Sequence, residues 1–318
     1  MVTLLPSHLR GHISRPLASF VFEKPQSAAT ETRTRSEENR RMTPTPLTAV
    51  HLGAGRSNSQ AALDDLRGGL QQWLLWMTLG WLDVKQRYRR AVLGPFWITI
   101  SMLVLVISLG VLYAGIFHQD VHSFLPYLAA GFIVWSFIST TVTDSTMTFV
   151  AAEGLLKQGG IPLSLHVFRT IFRNFIISAH NLTVMLLIYV WQPSLLSWHL
   201  LLIIPGLALM IVNFVWISII VGVLCTRFRD LPPIVSNLLQ ILVFISPIMY
   251  TPDSVPPRLA FIVRLNPFYY FIDAVRSPLL GLAPSPSTYP LLIAFAVVGS
   301  MLAFYCFART RARVAYWV

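Results

Sequence analysis

Residues 95–117 carry no formal charge, and the run is longer than the roughly 20 residues that cross a bilayer at 1.5 Å rise per residue. Further apolar runs follow at about 124–146, 172–191, 199–226, 231–250 and 289–308. Together they predict an all-α polytopic membrane protein of six transmembrane helices, with both chain ends on one side. Pro232, Pro233 and Pro247 predict that the fifth span is short or bent, because proline removes a backbone donor and clashes with the preceding turn. Composition agrees. Only 12% of the residues are charged and 55% are apolar, whereas about 25% charged is usual for a soluble domain.

A net charge of +11 would ordinarily suggest nucleic acid. Placement explains the cations better, so no nucleic-acid partner is expected. Lys85, Arg87, Arg89 and Arg90 precede the first span; Lys157, Arg169 and Arg173 lie between the second and third. Arg227 and Arg229 separate the fourth from the fifth, and Arg309, Arg311 and Arg313 follow the sixth. The alternate loops, residues 118–123 and 192–198, contain no Lys or Arg. Basic loops stay on the cytoplasmic side, which predicts that both termini are cytoplasmic. Arg258, Arg264 and Arg276 are the exception on the outer side, in a longer segment that also holds Asp253 and Asp273.

Residues 1–66 read as a polar, disordered or linking arm, with Met42 a candidate alternative start after Arg40-Arg41. Residues 67–318 form the transmembrane part. At its start, Leu70, Trp73, Leu74, Met77, Trp81, Val84 and Tyr88 recur at helical spacing, with Gln72, Asp83, Gln86, Arg87 and Arg90 on the other side. The pattern predicts an amphipathic interface helix over residues 70–92 on the membrane surface. At the other end, residues 251–288 are too polar to span and too apolar for a plain loop. They predict two short helices in the outer interface between spans five and six, broken at Asn266-Pro267, with Tyr269 and Tyr270 at headgroup level.

Chemistry of its own is hard to place on this chain. Lysines 24, 85 and 157 follow Glu23, Val84 and Leu156, so no glycine-lysine phosphate loop occurs. His-Glu-x-x-His and Gly-x-Ser-x-Gly are absent, and Cys225 and Cys306 are far apart in apolar spans. No catalytic or metal-ligating set emerges.

Three stretches carry a resemblance: Arg87-Tyr-Arg-Arg-Ala-Val-Leu-Gly-Pro-Phe-Trp97; residues 231–242 running on to Ser246-Pro-Ile-Met-Tyr250; and Asn266-Pro-Phe-Tyr-Tyr-Phe-Ile-Asp-Ala-Val-Arg276. In this order on six spans they resemble the permease subunit of type 2 ABC exporters, within it the branch that exports O-antigen and other lipid-linked polysaccharides. The resemblance implies a homodimer of permeases joined to two copies of a separate ABC ATPase subunit. It also implies no enzyme activity and no cofactor in this chain, with ATP and Mg on the partner. It places ATPase docking on the interface helix (Lys85, Arg87, Arg89, Arg90) and on the first cytoplasmic loop, with Glu153, Lys157 and the Gly159-Gly160 turn. Arg227 and Asp230 join that surface or simply anchor a helix end. It makes an aromatic polysaccharide path credible through Tyr113, Phe117, Phe124, Tyr127, Phe132, Trp135 and Tyr250; a lipid-facing aromatic belt is the alternative. Asp144 is a pathway candidate or a solvated helix end. Asn266, Tyr269, Tyr270, Asp273 and Arg276 fall on the outer helices, as gate residues. A drug or small-lipid exporter of the same superfamily is the nearest alternative. A membrane enzyme on lipid-linked sugar is a distant one, since only His180 and Asp144 could serve as acid or base.

Overall fold

The computed structural model describes residues 57–89, 94, 96–116 and 118–318. Most of the expected N-terminal arm, Met42, Arg90 and Phe117 therefore lie outside the described residues. Among these residues there are helices and no strands.

The first helix, α1 (Asn58–Gln71), begins earlier than the apolar pattern suggests. Ser57 and Gln60 form a reciprocal cap: the Gln60 amide donates to Ser57 Oγ at 3.2 Å, and the Ser57 amide to Gln60 Oε1 at 3.3 Å. Two orphan donors of the first turn are satisfied at once. The boundary expected at residue 66 thus falls inside a helix, because capping and not hydrophobicity sets this start. Gln72 breaks the line, and α2 (Trp73–Arg87) continues it. One expected helix over 70–92 is in fact two, ending at Arg87.

Five later helices are long and apolar enough to cross a membrane: α3 (Phe96–Ile116), α4 (Val121–Thr146), α6 (Leu163–Trp191), α7 (Ile203–Arg227, extended back to Trp198 by a 3₁₀ turn) and α11 (Thr288–Trp317). Between α4 and α6 sits the short α5 (Glu153–Gln158). The fifth expected span is α8 (Leu231–Ile245), with only 15 residues. Pro232 and Pro233 open its first turn, where no amide donor is needed, and Ser246-Pro247 follows its end. At 1.5 Å per residue it reaches about 22 Å, short of the roughly 30 Å hydrocarbon layer. Hence, among the described residues, five helices and not six meet the length of a span. The third and sixth also run well past their expected ends, from Leu163 and out to Trp317.

Burial ranks these helices. α4 is central, 72% of its apolar window being buried against 17% for α3. It packs on α3, α6, α7 and α8, and on α10 (Pro267–Leu279), the second helix of the outer segment. The first is α9 (Ala260–Leu265), whose Phe261, Ile262 and Leu265 are exposed.

Here the outer segment departs from expectation. α10 is not an exposed surface helix. It is wedged between α4, α7 and α11, with residues 270–276 buried. Gly206 admits it: a Cβ there would stand 2.4 Å from the Ala274 carbonyl oxygen. Tyr270 is buried and donates to the Arg264 carbonyl at 2.8 Å, so it is not a headgroup anchor. The aromatic run reads like a membrane belt, but its charges find internal partners. Asp273 accepts from Ser277 Oγ, the Ser285 amide and Thr288 Oγ1.

Candidate functional site

One row of side chains runs the length of α1 and α2 at helical spacing: Asp65, Gly69, Trp76, Gly80, Asp83 and Arg87. All but the last meet the first part of α6, in the same order along both helices. Asp65 caps α6: its Oδ2 accepts from the Leu163 amide at 3.1 Å and its Oδ1 from the Ser164 amide at 3.0 Å. Its backbone carbonyl also accepts from Ser164 Oγ at 2.8 Å. A carboxylate at a helix N-terminus is favoured by the orphan amides and the dipole, and this one comes from another helix. Arg311 of α11 completes the joint, donating from Nε to Asp65 Oδ2 at 2.8 Å. Three helices therefore share one buried carboxylate.

Close approach follows. A Cβ on Gly69 would lie 2.2 Å from Ser164 Oγ, and one on Gly80 would lie 2.9 Å from the Phe172 ring. Between them Trp76 packs edge-on to Phe172, ring centroids 5.5 Å apart, and against Phe168 at 6.1 Å. Small residues at such positions let helix backbones come together, as in membrane bundles generally.

Past Gly80 the row becomes ionic. Arg169 grips Asp83 with both arms, Nε to Oδ2 at 2.7 Å and Nη2 to Oδ1 at 2.5 Å. Arg173, one turn on, bridges two carboxylates: Nη1 reaches Asp83 at 3.4 Å and Nη2 reaches Asp144 of α4 at 2.8 Å. Asp144, at the end of α4, is thus the last member of a four-residue ionic chain linking α2, α6 and α4. The chain forms one wall of a cavity of about 700 Å³, whose lining also includes Arg87, His166, Pro232 and Ser236.

Beside it lies α5. Glu153 and Lys157 pair across one turn, both largely exposed. Lys157 holds the Glu153 carboxyl below its usual range, first by hydrogen bonding and then by charge. Gly159 and Gly160 follow with φ of 73° and 84°, left-handed values that glycine adopts without strain. Arg227, at the end of α7, lies over the Phe228 ring at 5.6 Å and the Trp317 ring at 5.5 Å. Asp230 and Arg229 beside it are exposed.

Opposite this basic end, the turn at residues 246–250 is tied to α4 and α10. Tyr127 Oη donates toward the carbonyls of Pro247 at 3.1 Å and Tyr250 at 2.9 Å. Buried Arg276 stacks on the Tyr127 ring, 4.2 Å from its centroid, and donates to the Pro247 carbonyl at 2.5 Å. Asn266 caps α10 through the Phe268 amide and donates to Ser246 Oγ at 2.8 Å. Tyr250 Oη donates to the Ile245 carbonyl at 2.6 Å. Among the other aromatic candidates, Phe124 and Trp135 are buried within the chain's own bundle, Trp135 edge-on to Phe268 at 5.8 Å. Tyr113 and Tyr269 are half-buried.

The expected basic and aromatic residues therefore gather at opposite ends. Sequence reasoning missed Asp65, Gly69, Gly80, the pairing of Asp83 with Arg169, and Arg311. One signal was present: acids at 65 and 83 share a face with glycines at 69 and 80, and arginines recur one turn apart at 169 and 173.

With five membrane-capable helices and no strand among the described residues, and most of its interhelical cations gathered at one end, the chain has the make-up of a polytopic membrane protein. The chain belongs to the ABC-2 type transporter family, whose pattern matches residues 75–280. It is therefore a transporter permease component, and the family implies a membrane and an ABC ATPase partner. It is 26% identical over 198 residues to the O-antigen export system permease protein RfbA of Klebsiella pneumoniae, covering 61% of this chain and 75% of that protein. With the Myxococcus xanthus protein of the same name the figures are 27% over 205 residues, 61% and 76%.

Proposed function

We propose that this chain is the permease of an exporter that passes a lipid-linked polysaccharide, of O-antigen or capsule type, outward across the bacterial inner membrane. Two copies form the path, and ATP with Mg is hydrolysed on two separate ABC subunits. The observation that carries the reading is the similarity to O-antigen export permeases of two different genera, over the same share of this chain. The basic end is the cytoplasmic side, since the loops at the other end lack Lys and Arg wherever they are short. In a strain from which the gene is deleted cleanly, the polymer should accumulate inside the cell and vanish from the surface. Normal surface polysaccharide in that strain would reject the assignment.

ATPase docking then centres on α5, with Glu153 and Lys157, flanked by Arg87, Arg227 and Asp230. Lys85 and Arg89 stand on a different row of α2. Replacing Glu153 and Lys157 together with Ala should leave the folded protein and the bound ATPase in place, and ATP hydrolysis running, while export falls at least tenfold. Unchanged export in reconstituted vesicles would remove α5 from the docking surface. For the far end, the reading makes Tyr113, Tyr250 and Tyr269 the aromatic contacts of the polymer. Arg276 and Tyr127 hold the turn behind them, and Asp273 and Asn266 fix α10.

A further inference from the structure

The short helix α8 packs on the bundle by one side only, Leu239 being its single buried residue. Its open face has two edges of different chemistry. Ile234, Leu238 and Ile241, 55%, 52% and 57% exposed, form an apolar edge. Asn237 and Gln240 form the other, with half-buried Ser236 at its rim. Both carboxamides are exposed, and neither makes a hydrogen bond to any described residue. At 1.5 Å per residue they stand about 9 and 14 Å beyond Leu231, well inside an otherwise apolar helix. An amide held in hydrocarbon without a partner is costly, and polar groups at membrane depth turn toward protein or a wet cavity. Lipid is therefore not what covers this edge.

The two ends of the edge point to its occupant. At the start of α8, Pro232, Pro233 and Ser236 line the 700 Å³ cavity together with Arg87 and His166. At the other end the chain turns at 246–250 into Tyr250. Between Leu231 and Thr251 no side chain carries a formal charge. We infer that Asn237 and Gln240 are the hydrogen-bonding contacts of α8 with the polysaccharide as it passes from the basic end to the aromatic one. This rests on the polysaccharide reading above and adds the residues that hold sugar hydroxyls between the two ends. A carboxamide offers two N–H donors and a carbonyl acceptor, and a hydroxyl is both donor and acceptor. Each amide can thus pair with hydroxyls in either sense, without demanding one sugar. Such neutral contacts are also weak enough to release what they hold, as passage through several sites in turn requires. Pairing with the same amides of a second copy would instead close the edge between the cavity and the far turn.

A thiol scan tests the edge without any substrate. The full-length protein carries two cysteines of its own, both free, which C225A/C306A removes. In that background, assembled with the ATPase subunit in vesicles, single cysteines are placed by N237C, Q240C, I234C and I241C. A charged methanethiosulfonate reacts with the thiolate, which forms in water and not in lipid, so N237C and Q240C should be modified about tenfold faster than I234C and I241C. Export then tests the contact itself. N237L/Q240L should lower polymer export about tenfold, as expected for two hydrogen bonds of ordinary net strength, with the permease–ATPase complex intact. N237Q/Q240N should keep most of it. Equal modification of the four positions would overturn the assignment, as would unchanged export by N237L/Q240L. Protection of N237C and Q240C, with a ready disulfide between copies, would give the edge to a copy-to-copy contact instead. A polymer that reaches the surface without the gene rejects the polysaccharide reading and this contact with it, whereas unchanged export by N237L/Q240L rejects the contact alone.

Discussion

Arg173 holds two carboxylates at once, and Arg169 holds one with both arms, so the four charges do not contribute equally. The bidentate pair is part-buried and well aligned. Charge-assisted hydrogen bonds of that kind contribute about 1.5–3 kcal/mol each when one partner is removed. The 3.4 Å contact from Arg173 to Asp83 adds little by comparison. A double-mutant cycle on D83A and R169A, followed by unfolding in detergent, should therefore give a coupling of about 1–3 kcal/mol. D83A with R173A should give less than half of that. Equal couplings would mean that the arginines share Asp83 evenly. None of these distances could be read from the sequence, which placed Arg169 and Arg173 only as loop cations that set orientation. Residue type was legible there; pairing was not, because it depends on the close approach of α2 to α6 that Gly80 permits.

At the scale of elements, capping decided where expectation and structure part. α1 starts at Asn58 because Ser57 and Gln60 satisfy its free amides, although no apolar pattern begins there. α8 starts at Leu231 and stops at Ile245 for the opposite reason, since prolines bracket it. That shortening was legible, as was the left-handed Gly159-Gly160 turn after α5. The burial of α10 was not. Its aromatic run is the same whether it faces headgroups or a core, and only Asp273 and Arg276 finding internal partners settles the matter. The joint at Asp65 belongs to this scale too, since it binds three elements. D65A would leave two amides of α6 and one guanidinium without their acceptor, and should lower stability by about 2–4 kcal/mol. D65N, which can still accept from one amide, should lose about half as much. Thermal unfolding of the purified protein in detergent measures both. If R311A alone matched D65A, the ion pair and not the cap would hold most of the joint's strength.

Across the whole molecule, the membrane character, the all-helical class and the segregation of charge were legible in the sequence because they are sums over many residues. What stayed hidden were contacts between residues far apart, and the Asp65 joint is the extreme case, its two charges being separated by 246 positions. That separation orders events during biosynthesis. Asp65 and the start of α6 are synthesised early, yet the carboxylate lacks its cation until α11 has been made and inserted. The joint of α1 with α6 therefore reaches its final strength only once the last membrane-capable helix is in place. A chain interrupted before Arg311 would carry an incompletely locked α1, and quality-control proteases could distinguish it from finished protein at that helix.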